Sequence, residues 1–417
     1  MKDRTILHCD MNSFFASVEL LDHPALRDLP TAVCGDPKSR HGIILAKNEA
    51  AKKYGIRTAE TLAQARRKCP QLHCLPPHHD KYRHWYHVIN KIYNRYTDRV
   101  EPFSIDESWL DVSGSLKLFG SGREIADDIR RTVREETGLT LSAGVSFNKF
   151  LAKMGSEYKK PDATTVLTRD NFRQILWPLD IEEMFFVGRV SADKLRRHGL
   201  RTIGDLAGAA PDVLRTLLGS QGPELWNYAN GRDDRPVLRR DEQQRAQSIG
   251  NGMTFPRDLS GEDDLRTAVV GLSDQICSRL RRSHLRAGGI KAEIKAPDFS
   301  VISRQRRLEY ASATPSVLAA AALDLIRACW GSRPIRLLTL TAIYLVGEEE
   351  AEQISFFADD QRERQKGERI DHAVDDIRAR FGSEAITFGR VLDNDLGIRG
   401  GGRRDHHDRD DSEEDDR

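Results

Sequence analysis

The sequence predicts an α+β protein of several domains, and three observations carry that reading. Its 417 residues exceed what a single hydrophobic core usually organises, so two to four domains are expected. Up to Val145 the order is strand, helix, strand, strand, helix, strand, which is that of a split βαβ sheet. After Pro178 the texture turns to short helices, and a second α+β pattern begins at Ser248.

Each element has a local reason. Thr5 to Cys9 is a short apolar strand ending in Asp10, and Phe14, Phe15, Val18 and Leu21 give the next segment a helical face. A second strand, Gly42 to Ala46, leads into a helix from Asn48 to Tyr54 closed by Gly55. Leu75-Pro-Pro77 punctuates the chain before an aromatic, amphipathic helix from about Lys81 to Tyr96. Val100 to Val112 reads as two short strands around a tight turn at Ile105–Glu107. Ile125, Ile129 and Val133 recur at helical spacing, Gly138 stops that helix, and Leu139 to Val145 forms a strand. Further on, Ser191 to His198 is a helix ended by Gly199, and Thr202 with Asp205 starts the next through a capping box. Two short helices around a tight glycine turn suit the binding of a phosphate backbone. The stretch 231–247 is charged and reads as an exposed linker. Beyond it come a helix around Leu265–Leu280, strands Ile290–Lys295 and Ser300–Leu308, a helix Pro315–Trp330 capped by Thr314, and a strand Ile335–Leu345.

With 65 basic and 64 acidic side chains the net charge is +1, which on its own argues against a strongly basic nucleic-acid binder. The average hides a split. Residues 346–417 hold 12 basic and 22 acidic groups, so this tail carries −10 and the rest of the chain +11. The arginines at 279, 281, 282, 304, 306 and 307 make the last α+β segment look like a grip for an anionic polymer. Six scattered cysteines with no CxxC pair predict a reduced, cytoplasmic protein without a zinc site. The N-terminus lacks the apolar run of a signal peptide, and the longest apolar run, Val317 to Leu323, is too short to span a membrane. The many histidines, His8 among them, lack ligand spacing and read as packing or surface residues.

The chemistry concentrates in Asp10 and the pair Asp106–Glu107, which lie at strand ends. Two-metal phosphoryl transfer needs carboxylates that bridge two Mg²⁺ ions about 4 Å apart, and hard cations prefer oxygen ligands. Adjacent strand residues point to opposite faces, so Asp106 and Glu107 share a site only if the chain turns or bulges there. A polar hairpin turn is the other reading of that pair.

Three runs add a resemblance: Ile6 to Glu19 (ILHCDMNSFFASVE), Phe103 to Asp111 (FSIDESWLD), and Leu141 to Lys153 (LSAGVSFNKFLAK) with Lys160-Pro161. Together, and over about residues 4–357, they resemble the Y-family DNA polymerases, in particular the bacterial polymerase IV branch. The resemblance implies a right-hand polymerase. Its palm is ferredoxin-like (1–30 and 78–168), with small fingers (31–77), a helical thumb (169–230), the linker 231–247 and an extra α+β little finger (248–346). An acidic tail, 347–417, closes the chain. It implies catalysis by Asp10, Asp106 and Glu107, which with the Met11 carbonyl hold two Mg²⁺ ions. Phe15 becomes the steric gate that excludes a 2′-hydroxyl, while Phe14 remains core. Lys52 and Lys160 become triphosphate ligands. Lys52 stands where the family often has Arg, and Glu49 where it often has Tyr; a lysine cannot make the arginine fork, so the triphosphate is held differently.

The resemblance further implies DNA contacts at Gly188 in the thumb and at Arg304 and Arg306 in the little finger. It also implies a sliding-clamp (β clamp) peptide, Gln353-Ile354-Ser355-Phe356-Phe357. The implied function is template-directed, low-fidelity translesion synthesis from dNTPs on primer–template DNA, by a monomer, without proofreading and away from membranes. A catalytically weak or inactive accessory that binds DNA and clamp is the alternative, with a nucleotidyl cyclase a remote third. The acidic tail is expected to stay off DNA and leave the clamp peptide free, with Val374, Ile377 and Phe381 lining one side of a helix within it.

Overall fold

The computed structural model describes residues 4–35, 42–242, 246–348 and 358–398, divided into two compact units between residues 243 and 244. In the first unit, β1 (Ile6–Met11) leads into α1 (Phe14–Asp22). A small insertion follows: β2 (Thr31–Cys34), β3 (Ile44–Lys47), α2 (Glu49–Lys52), α3 (Leu62–Lys68) and β4 (His73–Leu75). It has its own core of Ala32, Cys34, Ile44, Ala51, Ile56, Leu62, Ala65, Cys69 and Leu72. The strand β2, the helix α3 and the strand β4 escape sequence reading because each is short and only weakly periodic.

The chain then forms α4 (His79–Tyr93), β5 (Val100–Pro102), β6 (Glu107–Asp111), α5 (Leu116–Phe119), α6 (Gly122–Thr137), β7 (Leu141–Ser146), α7 (Lys149–Tyr158) and β8 (Thr164–Val166). The main sheet has the order β5-β6-β1-β7-β8, which puts β1 at its centre with every residue buried. Helix α6 has the predicted apolar stripe, with Ile125, Ile129 and Val133 all buried. Each contributes roughly 1.5–3 kcal/mol. A Ser121/Glu124 capping box starts this helix, and Gly138 at φ +71° ends it. The approach of α7 to the sheet depends on Gly144, where a Cβ would lie 1.9 Å from the Ala152 carbonyl oxygen. That contact lays Lys149, Lys153 and Glu157 along the sheet.

Five α-helices complete the unit: α8 (Phe172–Leu176), α9 (Arg189–Arg197), α10 (Ile203–Gly208), begun by the predicted Thr202/Asp205 box, α11 (Pro211–Leu218) and α12 (Gln221–Ala229). The segment after α12 corrects the linker expectation. Asp233 and Val237 are buried. The Phe150 N–H donates to Asp233 Oδ2 (3.0 Å), and the Leu238 N–H donates to Glu101 Oε2 (2.7 Å). Charged as it is, this stretch supplies a carboxylate to the buried Phe150 N–H and has its own Leu238 N–H accepted by Glu101, so its first part belongs to the folded unit.

The second unit contains β9 (Ser248–Leu259), α13 (Gly261–Arg282), β10 (Leu285–Lys295), β11 (Val301–Ser312), α14 (Pro315–Trp330), β12 (Ile335–Gly347) and α15 (Ala358–Phe381). Its antiparallel sheet runs β11-β10-β12-β9, and both long helices pack in the core against Ile290, Leu338 and Leu340. Thr314 occupies the N-cap position of α14, but its side chain makes no capping bond there.

The tail differs most from expectation. Residues 366–398 pack onto this unit, with Val391, Leu396 and Ile398 joining its core. Helix α15 does not dock through an apolar stripe ending in Ile377 and Phe381, since Phe381 is 76% exposed and Ile377 is exposed as well. It docks through a polar side instead. Arg378 makes two hydrogen bonds to Asp274 (2.9 and 2.8 Å), both side chains being buried, and Arg281 pairs with Asp375. Apolar periodicity cannot reveal a helix whose docking face is charged. Residues 353–357, and the run after 398, lie outside the described residues.

Candidate active site

Asp10 ends the buried run of β1, and strand register sets it directly opposite Glu107 on β6. Between β5 and β6 the chain turns. The Phe103 N–H donates to the Glu107 carbonyl (2.9 Å), the Ser104 hydroxyl donates to Asp106 Oδ1 (2.5 Å), and the Met11 N–H donates to the Asp106 carbonyl (3.0 Å). Asp106 thus sits in the turn and Glu107 on the strand, which meets the condition under which neighbouring residues can share one site.

Asp10, Asp106 and Glu107 line a cleft of about 370 Å³ together with Met11, Ser13, Phe14, Phe15, Lys47, Lys52, Thr58, Glu157 and Lys160. Lys160 Nζ lies 2.8 Å from Asp10 Oδ1 and 2.8 Å from Glu157 Oε1. Lys153 Nζ lies 2.6 Å from Glu107 Oε2, and His8 Nε2 lies 3.4 Å from the same oxygen. His8 Nδ1 is 2.8 Å from Ser156 Oγ, and the ring meets Trp109 edge-on.

Burial governs the electrostatics. It pushes the Asp10 carboxyl up to about 8 despite the Lys160 ammonium, and it raises Asp106 as well. At Glu107 burial acts in the same sense, but His8 and the hydrogen-bonded Lys153 ammonium beside it outweigh it and hold the carboxyl at about 2. His8 is driven down to about 4 by burial and is therefore neutral at pH 7. Crowded carboxylates that cling to protons are relieved by a cation, and the oxygen donors suit a hard divalent one. The residues fit a metal by this test. His8, Asp10 and Glu107 offer ligand atoms within 4.8 Å of one another, whereas Asp106 stands outside that trio.

Phe15 projects from α1 and stacks on Tyr82 of α4, while Phe14 is buried in the core. Lys52 is tied to Glu49 at 2.5 Å, and Glu49 also accepts from the Ser13 hydroxyl at 3.2 Å. Sequence reading missed Lys47, Thr58, Lys153, Glu157 and the packing of His8 on Glu107. The i, i+4 spacing of Lys149, Lys153 and Glu157 was the available signal for α7.

The other predicted residues lie elsewhere. Gly188 immediately precedes α9, at φ −78°, with open space around it. In the second unit, register pairs Arg304 with Ala292 and Arg306 with Ile290. Both partners are buried beneath the helices, so these arginines point to the α14 side, where Arg306 lies 3.9 Å from Asp324. Arg307 lies on the opposite, open face. Its guanidinium is 4.5 Å from the Tyr344 ring centroid.

This architecture is that of the Y-family DNA polymerases. A Y-family polymerase chimera of known structure superimposes with a TM-score of 0.74 and 22% identity, covering 82% of this chain and 99% of its own. The impB/mucB/samB family profile matches residues 9–157, and that of its C-terminal domain matches 246–356. DNA polymerase IV of Acetivibrio thermocellus is 44% identical over 390 residues, which cover 93% of this chain and 98% of that protein. DNA polymerase IV 1 of Bacillus subtilis is 37% identical over 395 residues, 94% of each. The chain belongs to the DNA polymerase IV family.

Proposed function

We propose that the cleft around Asp10, Asp106 and Glu107 joins a dNTP to a primer 3′-hydroxyl with two Mg²⁺ ions held by these carboxylates and the Met11 carbonyl. As a member of its family the chain is a DNA-directed DNA polymerase of the translesion class, and its activity depends on a divalent metal. The juxtaposition of Asp10 with Glu107 across two neighbouring strands carries the proposal.

When bound, the metal ions would supply a deprotonated primer hydroxyl and charge neutralisation at the leaving pyrophosphate. Lys160 and Lys52 hold the triphosphate as point charges. Phe15 lies under the deoxyribose and leaves no room for a 2′-oxygen. Lys153 and His8 fix the Glu107 carboxylate from behind.

Template and primer contacts fall to the amides after Gly188 and to the basic sheet of the second unit, where Arg307 joins Arg304 and Arg306. Such contacts hold phosphates without reading sequence. Gln353 to Phe357 dock on the sliding clamp. The protein works as a monomer in the bacterial cytosol, a setting in keeping with six free cysteines and with no described helix long and apolar enough to cross a membrane. Primer extension with Mg²⁺ and dNTPs on undamaged and damaged templates tests this reading. Full extension by Asp106→Ala or Glu107→Ala would overturn it.

A further inference from the structure

Behind Phe15 lies a buried hydrogen-bond system that nucleotidyl transfer itself does not use. The Phe15 ring stacks on Tyr82 with centroids 3.9 Å apart and planes at 11°, and His79 meets both rings edge-on. Tyr82 is fully buried. Its hydroxyl donates to Glu19 Oε1 at 2.5 Å and accepts from the His78 N–H at 3.1 Å. Glu19 is 1% exposed. It also accepts from the His78 N–H at 3.0 Å and lies 2.9 Å from His78 Nδ1, with Lys81 Nζ 3.6 Å away.

Phe15 and Glu19 stand four residues apart on α1, so one helix presents both the ring and the carboxylate that holds the ring's support. Packing alone does not call for this arrangement. A phenylalanine at 82 and an apolar residue at 19 would fill the same space without burying a charge, which is unfavourable unless the charge is paired and hydrogen-bonded. What the clasp adds is fixed position. A ring excludes one extra oxygen only if it cannot retreat, and stacking alone lets flat surfaces slide. We propose that Glu19, with His78, is a positioning residue for sugar discrimination, because it locks Tyr82 and through it the depth of Phe15.

This inference rests on Phe15 being the sugar gate, so the experiment includes a gate control. The ratio of kcat/KM for dNTP to that for the matching rNTP is measured for wild type, Phe15→Ala, Tyr82→Phe and Glu19→Gln, each checked by thermal melting. Tyr82→Phe keeps the stacked ring and removes only the clasp, so it carries the test even if Glu19→Gln folds poorly. The expected result is a loss of discrimination of about tenfold in the two clasp variants, with dNTP use within about threefold of wild type. In the Phe15→Ala background Tyr82→Phe should add little, since the two residues act as a unit. If Phe15→Ala loses discrimination while both clasp variants keep it, the positioning role is wrong and the gate stands. If dNTP and rNTP use fall together in the clasp variants, the clasp only fastens α1 to α4. Unchanged discrimination in Phe15→Ala would remove the gate and this inference with it.

Discussion

Lys160 Nζ stands 2.8 Å from Asp10 Oδ1, so one of the proposed metal ligands has an ammonium group as its partner in the cleft. A divalent cation would compete for that carboxylate and stabilise the charged forms of Asp10 and Asp106, which burial keeps above their ordinary range. Binding to the folded state alone stabilises it by mass action, by about 2.7 kcal/mol at a hundredfold excess over Kd. Mg²⁺ should therefore raise the melting temperature of the wild type, and Asp10→Ala should lose both this shift and primer extension. A full Mg²⁺ shift in Asp10→Ala would show that the metal binds elsewhere.

The cations of the cleft are not equally free. Lys52 is paired with Glu49 and Lys160 with Asp10, but Lys47 has only the Thr58 hydroxyl, at 3.0 Å, and no carboxylate partner among the described residues. Burial and the nearby Lys52 ammonium hold Lys47 below the ordinary lysine range, so an anion there would be welcome. A charge-assisted hydrogen bond is worth about 1.5–3 kcal/mol. Lys47→Ala should accordingly raise the KM for dNTP tenfold or more with little change in kcat. Glu49→Ala, by releasing Lys52, should lower it. Steady-state kinetics on one primer–template settles both signs.

At Glu19 burial favours the protonated form, but hydrogen bonds from Tyr82 and His78 outweigh it and hold the carboxyl below its ordinary value. A folded-state pKa below the unfolded one gives stability that is complete above the unfolded value and lost as pH falls through the folded one. Melting temperature should therefore fall less steeply in acid for Glu19→Gln than for wild type, below about pH 4.5, while the two curves run parallel above pH 6. Identical acid limbs would place the charge-dependent stability elsewhere.

The little-finger arginines divide by face. Arg304 and Arg306 alternate onto the α14 side of β11, and Arg307 joins Lys291 on the open face. If the open face lies along DNA, Arg307→Ala should reduce the slope of log K against log salt by about 0.9, the value for one phosphate contact. Arg306→Ala should change it less. Fluorescence anisotropy over a salt series measures both, and the reverse order would assign DNA to the helix-side edge.

How much of this was legible in the sequence depended on whether a signal was local. Asp10 at the end of an apolar run, the turn before Glu107, and the Ile125, Ile129, Val133 stripe are local patterns, and the structure repeats them. The bridge from Tyr82 to Glu19 spans 63 residues, and the Arg378–Asp274 pair spans 104. No periodicity reports such pairs. Arg304 and Arg306 were visible as charge, but the face each occupies depended on a register that sequence alone did not reveal. Lys47 carries no local signal, since its place in the cleft depends on how β3 packs and not on a motif.

The charge of the tail suggests a solvated appendage, yet the tail is docked. Arg378 buries its guanidinium against Asp274, and Arg257 bridges Asp264 to Asp395. Ile398 fits where Gly271 leaves space, since a Cβ there would lie 2.3 Å from its Cγ2. A net charge of −10 over residues 346–417 thus coexists with docking, because Asp371 and Asp375 of α15 meet Arg281 of α13. Breaking a buried pair costs about 3–5 kcal/mol, because the remaining charge loses its partner without regaining water. Arg378→Ala should therefore lower the stability of the C-terminal unit by that amount. Deleting residues 358–417 should destabilise it further by exposing the surface that Val391, Leu396 and Ile398 cover. Differential scanning calorimetry of the full chain and the two variants measures this. Unchanged melting after the deletion would return the tail to the role of a free appendage.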